Sequence, residues 1–199
     1  MISVFRPPQY SPTPIFSAIQ LLWINLVMNS FAALAFATDP PSEALLNRHP
    51  SRRDESIITP DMRRQILAQS LYQWTICFCI AVLGSDKFGL STSANELTRL
   101  TSTFVFNVFV FSQIFNQINC RVLNKKLNVF EGYWKNPVSL LFLSLVVIAQ
   151  VLIVQFGGDI FKTANGGLSI LGWMYSVLFG CGSLVVGLVV RLVPSRRCD

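Results

Sequence analysis

Residues 136–158 read NPVSLLFLSLVVIAQVLIVQFGG, and none of these 23 residues is charged. A helix needs about 20 apolar residues to cross the hydrocarbon core of a bilayer, so this stretch is long enough to span a membrane. Pro137 near its start favours the opening of a helix, because proline is well tolerated at the first helical position. The stretch therefore predicts a transmembrane helix.

Four other stretches have the same composition. They hold 32, 21, 21 and 28 residues without a charge, at 7–38, 65–85, 100–120 and 163–190. Only 13% of the chain is charged, against about 25% in soluble domains. The pattern predicts an all-α, polytopic membrane helix bundle with five transmembrane helices, and it excludes an ordinary soluble enzyme. We expect an irregular, Pro-rich N-terminus at 1–14, one membrane domain at 15–193 and a cytosolic tail at 194–199.

The basic residues predict the orientation of the spans. The loops after the first and third spans, together with the residues after the fifth span, hold twelve of the 16 Lys and Arg residues. The opposite side holds Arg6, Lys87, Arg99 and Lys162. Loops rich in Lys and Arg stay in the cytosol, so we expect an exoplasmic N-terminus and a cytosolic C-terminus. Because the basic residues are spread over short loops and form no single face, the charge of +6 does not indicate nucleic-acid binding.

The reactive side chains do not form a recognisable catalytic or metal site. The cysteines number five, an odd count that does not suit a disulfide framework, and His49 is the only histidine. We interpret the cysteines as packing residues or free thiols, and we expect no zinc site.

Polar residues inside the spans are the functional candidates, since a polar side chain in lipid must face protein or a water-filled cavity. Asn25 and Asn29 are four residues apart and share a face of the first helix. The third helix carries a second polar face, formed by Gln113, Asn116, Gln117 and Cys120. One interpretation is hydrogen bonding between helices. The other is a cation path built from amide oxygens, although no uncharged stretch contains a carboxylate to balance a divalent ion.

Small residues recur along the fifth predicted span, at spacings that place them on one face. We expect this stripe to allow close helix packing, and it consists of Gly172, Ser176, Gly180, Ser183 and Gly187. Gln69, Gln73 and Gln150 are given the same structural interpretation.

The sequence resembles the membrane region of a known family. Residues 22–41, LWINLVMNSFAALAFATDPP, resemble the sixth membrane helix of P-type calcium-transporting ATPases. Residues 109–121, FVFSQIFNQINCR, followed by NVFEG at 128–132, are similar to the eighth helix and the loop after it. VQFGG at 154–158 resembles the end of the ninth. The resemblance covers about 14–194 and is closest to the plasma-membrane and fungal vacuolar branch, so the five spans match family helices six to ten.

The resemblance implies a role in calcium transport. In the family an Asn and an Asp on the sixth helix coordinate calcium, and the matching residues here are Asn25 and Asn29. Gln113 matches a ligand-shell position on the eighth helix. The resemblance thus implies calcium as the possible transported ion, with Asn29 in place of a carboxylate, in a vacuolar or plasma membrane.

The phosphorylation motif DKTGT and the actuator motif TGE of that family do not occur in the sequence. We therefore expect a truncated pump region with no ATP site, catalytically inactive alone. Its expected partners are membrane lipids and either the missing N-terminal half or a complete pump. The alternatives are a non-catalytic subunit or regulator of such a pump, and a degenerate fragment.

Overall fold

The computed structural model describes residues 15–38, 58–83, 94–121, 136–164 and 166–192. Over these ranges the chain forms six helices and no strand, namely α1 (Ala18–Ala37), α2 (Pro60–Leu83), α3 (Ala94–Arg121), α4 (Pro137–Phe156), α5 (Gly158–Phe161) and α6 (Ile170–Leu192). One long helix overlaps each of the five uncharged stretches, which confirms the predicted all-α bundle.

Within the described ranges, four helices are long and apolar enough to cross a membrane: α1, α2, α4 and α6. The remaining long helix, α3, has 28 residues but is more polar. It lies at the centre of the bundle, where Phe104, Phe106 and Val108 have no exposed surface. A central helix faces other helices more than lipid, so it can carry amides and hydroxyls without exposing them to hydrocarbon. The protein is therefore a multi-pass membrane protein.

Local sequence signals set two of the helix starts. Thr59 precedes Pro60, and its hydroxyl oxygen accepts a hydrogen bond from the Met62 amide, as an N-cap residue does. Asn136 does the same for α4, because its side-chain oxygen accepts from the amides of Val138 and Ser139. Both helices begin at the proline that follows the N-cap residue, and the start at Pro137 is the one expected from the sequence.

The start of α3 was predicted too late. The sequence suggested a loop up to Arg99, whereas the helix already begins at Ala94. Arg99 lies on the first turns of this helix and forms an ion pair with Asp159 of α5 at 3.0 Å. Charged residues therefore extend the helix beyond its apolar part. Helix α5 itself, a single turn after α4, was not predicted.

The small residues of α6 form its buried face. All five predicted members of the stripe are buried, and they are the buried residues of that helix. A Cβ atom added to Gly180 would lie 2.8 Å from a ring carbon of Phe115 and 2.9 Å from Cβ of Phe111. One added to Gly187 would lie 2.6 Å from the Asn119 amide. The stripe therefore lets α6 approach α3 closely, as predicted.

A buried polar cluster joins α2, α3 and α6. The Gln69 amide donates to the Ser183 carbonyl at 2.8 Å, while the Ser183 hydroxyl donates back to Gln69 Oε1 at 2.8 Å. Asn119 Nδ2 donates to the same carbonyl at 2.8 Å. Arg191 Nη2 then donates to the Asn119 carbonyl at 2.7 Å. These bonds fix the axial register of the three helices, and they confirm the structural interpretation of Gln69.

Helices α1 and α4 run antiparallel, and hydrogen bonds at both ends of this pair hold them together. At one end the Ser17 hydroxyl, before α1, donates to the Phe161 carbonyl of α5. At the other end Asn136 Nδ2 donates to the Thr38 carbonyl after α1 at 3.0 Å. The Pro-rich N-terminus, the loop at 42–57, the loop at 122–135 and the C-terminal tail lie outside the described residues. The predicted domain limits and most of the basic residues behind the orientation fall there.

Candidate functional site

The two asparagines predicted as a cation site lie on the outer face of α1. Both Asn25 and Asn29 are exposed, while Ile24 and Met28 on the opposite face are buried. Neither asparagine side chain forms a hydrogen bond with another residue in the described ranges. The shared face that their spacing predicted is present, and it points away from the other described helices.

The backbone of α1 is not a regular α-helix at this point. Residues Trp23–Met28 form a π-helical turn between two α-helical segments, Ala18–Leu22 and Asn29–Ala37. In an ideal α-helix every fourth residue advances by about 40° around the axis. A π-turn, with its wider i→i+5 bonding, reduces this advance. Across this turn Gln20, Ile24 and Met28 are buried, whereas Asn25 and Asn29 are exposed.

A chain of hydrogen bonds attaches the π-turn to the bundle. Trp23 Nε1 donates to Gln150 Oε1 of α4 at 3.1 Å. Gln150 Nε2 donates to Asn107 Oδ1 of α3 at 3.1 Å. The side chains of Gln150 and Asn107 have no exposed surface. The structural interpretation of Gln150 is confirmed, and the contact joins three helices behind the candidate asparagines.

The third predicted site residue lies elsewhere. Gln113 Nε2 donates to Gln73 Oε1 of α2 at 2.9 Å, so its amide takes part in the contact between α2 and α3. No hydrogen bond in the described ranges connects Gln113 with Asn25 or Asn29. The structure thus brings the two asparagines together and places Gln113 at a different helix contact.

The chemistry available on the exposed face of α1 is that of neutral oxygen donors. Two amide oxygens can coordinate a hard cation such as calcium, but each amide supplies only one oxygen and no charge. A divalent ion would need more oxygen ligands than Asn25 and Asn29 provide. An unpaired amide facing hydrocarbon is also unfavourable. This face is therefore suited to contact with further polar groups.

Two residues next to the site were missed by the sequence reasoning. Asn107 and Gln20 are almost fully buried, and one amide nitrogen of each has no hydrogen-bond partner in the described structure. Asn107 interrupts an apolar run, between Phe106 and Val108, and that isolated position was the available signal. Gln20 lies three residues after Ser17, the spacing of a capping box, and its Oε1 accepts from the Ser17 amide at 2.8 Å. Among the described residues Cys77, Cys79, Cys120 and Cys181 are free thiols.

Comparison with known proteins identifies the family. Residues 13–193 match the family described as cation transporting ATPase, C-terminus. The chain is 42% identical over 186 residues to calcium-transporting ATPase 2 of Cryptococcus neoformans var. grubii, a match that covers 93% of the chain and 13% of the relative. It is 39% identical to plasma membrane calcium-transporting ATPase 2 of Oreochromis mossambicus, with 90% of the chain and 16% of the relative covered.

A human relative gives the same result. The chain is 36% identical to plasma membrane calcium-transporting ATPase 1 of Homo sapiens over 184 residues, which cover 90% of the chain and 15% of the relative. The chain thus spans about one seventh of the length of these curated relatives. The apolar helices, the described fold and the matched residues agree with one another, and the chain belongs to the C-terminal membrane region family of cation-transporting ATPases.

Proposed function

We propose that this chain forms the C-terminal half of the membrane domain of an ATP-driven calcium pump and supplies part of the cation path. The observation that carries the proposal is the exposed pair Asn25 and Asn29 in the middle of an apolar membrane-spanning helix. Polar groups in spans face protein or a water-filled cavity, so this face requires cover from helices outside the described bundle. Calcium appears in the names of the relatives, and amide oxygens are among its usual ligands.

The partners and the membrane follow from the same proposal. The helices that cover Asn25 and Asn29 belong to the preceding part of a pump and bring the carboxylates that the cation requires. In this arrangement Asn25 and Asn29 bind calcium, and Gln113 supports the site from the contact between α2 and α3. The pump lies in the vacuolar or plasma membrane, with the start of α1 exoplasmic and the end of α6 cytosolic.

A fused pump tests this function. The region of a curated calcium-transporting relative that precedes the matched residues is joined in frame to the whole chain, and ATP-driven calcium uptake into vesicles is measured. We expect uptake by the fusion, and we expect Asn25→Ala to raise the calcium concentration for half-maximal uptake about tenfold, the equivalent of roughly 1.4 kcal/mol. Leu34→Ala, at an exposed apolar position of the same helix, is the control. Equal calcium dependence of Asn25→Ala and the unchanged fusion would contradict a role for this face.

The orientation has its own test. The proposed topology places Cys198 in the cytosol, because twelve of 16 basic residues lie on that side. We expect a membrane-impermeant maleimide to label Cys198 only after the plasma membrane is opened, with the Cys198→Ser variant as the background. Labelling of Cys198 in sealed cells would reverse the topology.

A further inference from the structure

The chain of hydrogen bonds behind the π-turn has a fixed direction. An indole N–H can only donate, so the amide oxygen of Gln150 has to face Trp23. This leaves the amide nitrogen of Gln150 facing α3, where it requires an acceptor, and Oδ1 of Asn107 provides it. Rotating either amide by half a turn would place two donors or two acceptors against each other. The chain of hydrogen bonds through Trp23, Gln150 and Asn107 therefore has a single favourable arrangement.

Burial makes this arrangement costly to disturb. Val146 and Val154, one turn before and one turn after Gln150, are buried apolar residues, and so are the two neighbours of Asn107 in sequence. A buried amide that loses its partner is unfavourable, because it has given up its hydrogen bond to water and gains none in the protein. Trp23 begins the π-turn and Asn25 follows it by two residues, so a rotation of Trp23 about the helix axis carries Asn25 with it.

We propose that Trp23, Gln150 and Asn107 are positioning residues that hold the π-turn of α1 so that Asn25 and Asn29 project together from its outer face. The proposal rests on the function proposed above, because it assigns these residues a part in cation binding. They touch no cation themselves. This chain of hydrogen bonds sets the rotation of α1 against α3 and α4. Through that rotation it also sets the spacing between the amide oxygens of Asn25 and Asn29.

The test uses Trp23→Phe in the fused pump. Phenylalanine keeps an aromatic ring and removes the N–H donor. We expect the calcium concentration for half-maximal uptake to rise about fivefold, the effect of losing one hydrogen bond, while the maximal rate per pump molecule stays the same. Trp74→Phe is the matched control, since Trp74 is 53% exposed on α2 and stacks on Phe78. It should leave the calcium dependence unchanged.

A second substitution separates positioning from general packing. Gln150→Met keeps a similar volume and removes both hydrogen bonds, so it should cause the same shift in calcium dependence. Combining Gln150→Met with Trp23→Phe should add little to the shift in calcium dependence, because both substitutions break the same chain of hydrogen bonds. If the Trp23→Phe pump is absent from the membrane, Gln150→Met carries the test alone.

The outcomes are distinguishable. An unchanged half-maximal calcium concentration in these variants, together with a raised one in Asn25→Ala, would overturn the positioning role and keep the proposed function. A lower maximal rate at unchanged calcium dependence would also overturn it, since that result indicates packing only. No shift in Asn25→Ala either would overturn the proposed function itself.

Discussion

Gly180→Leu is expected to prevent the chain from folding in detergent or lipid nanodiscs. Even the first carbon of the new side chain would lie 2.9 Å from Cβ of Phe111 and 3.1 Å from its backbone carbonyl carbon. A flexible side chain can move aside, but the backbone of the central helix cannot. Overpacking of a well-packed core typically costs 1–3 kcal/mol, and four added carbons at a backbone contact should cost about 3 kcal/mol or more.

The measurement is the monodisperse fraction on size exclusion, together with the thermal unfolding midpoint. Leu178→Ala provides the control on the same helix, because Leu178 is 64% exposed. It should leave both quantities close to those of the unchanged protein. Equal tolerance of the two substitutions would show that the stripe of small residues faces lipid.

Asn29→Asp is expected to produce the largest change in transport. In the fused pump the natural Asn29 offers calcium a neutral oxygen, whereas an aspartate offers a second oxygen and a negative charge. The charge offsets part of the desolvation cost of a divalent ion, which neutral amides do not. We expect the calcium concentration for half-maximal uptake to fall at least about tenfold, equivalent to roughly 1.4 kcal/mol.

The two versions of the fused pump are compared in calcium uptake at several free calcium concentrations. Ser30→Asp, at the next exposed position, controls for negative charge placed nearby without the correct direction. Uptake by the aspartate version alone would mark the natural sequence as defective in transport. Equal uptake by both versions would mean that the amide is an adequate ligand and that the lost charge does not matter.

The parts of the fold that depend on local composition could be predicted from the sequence. The uncharged stretches indicated the five long helices, and Pro137 indicated the start of one of them. The small-residue face of α6 was also predicted, because Gly172, Ser176 and Gly180 repeat at helical spacing whatever the neighbour is. Each of these features is encoded within one helix.

The remaining features depend on contacts between helices. Nothing within α1 shows that Trp23–Met28 forms a π-turn. The hydrogen bond that attaches this turn to the bundle runs from Trp23 to Gln150, and these residues are 127 positions apart. Asn107 received no role because its partner lies on another helix. The spacing of Asn25 and Asn29 predicted a shared face, but a single helix cannot show whether that face is inward or outward. Gln113 was assigned to the site through the family resemblance, and the structure shows its amide donating to Gln73.

The contact between Asn136 and Thr38 has a mechanical consequence. The Asn136 side chain caps α4, because its oxygen accepts from two backbone amides of that helix. Its nitrogen donates to the Thr38 carbonyl just after α1. Near the opposite end of the same helix pair, Trp23 binds Gln150. With two attachment points far apart along their length, sliding or twisting of α1 against α4 would break at least one of these hydrogen bonds. A pull exerted on one of the two helices by a neighbouring domain would therefore displace the other helix in the same direction.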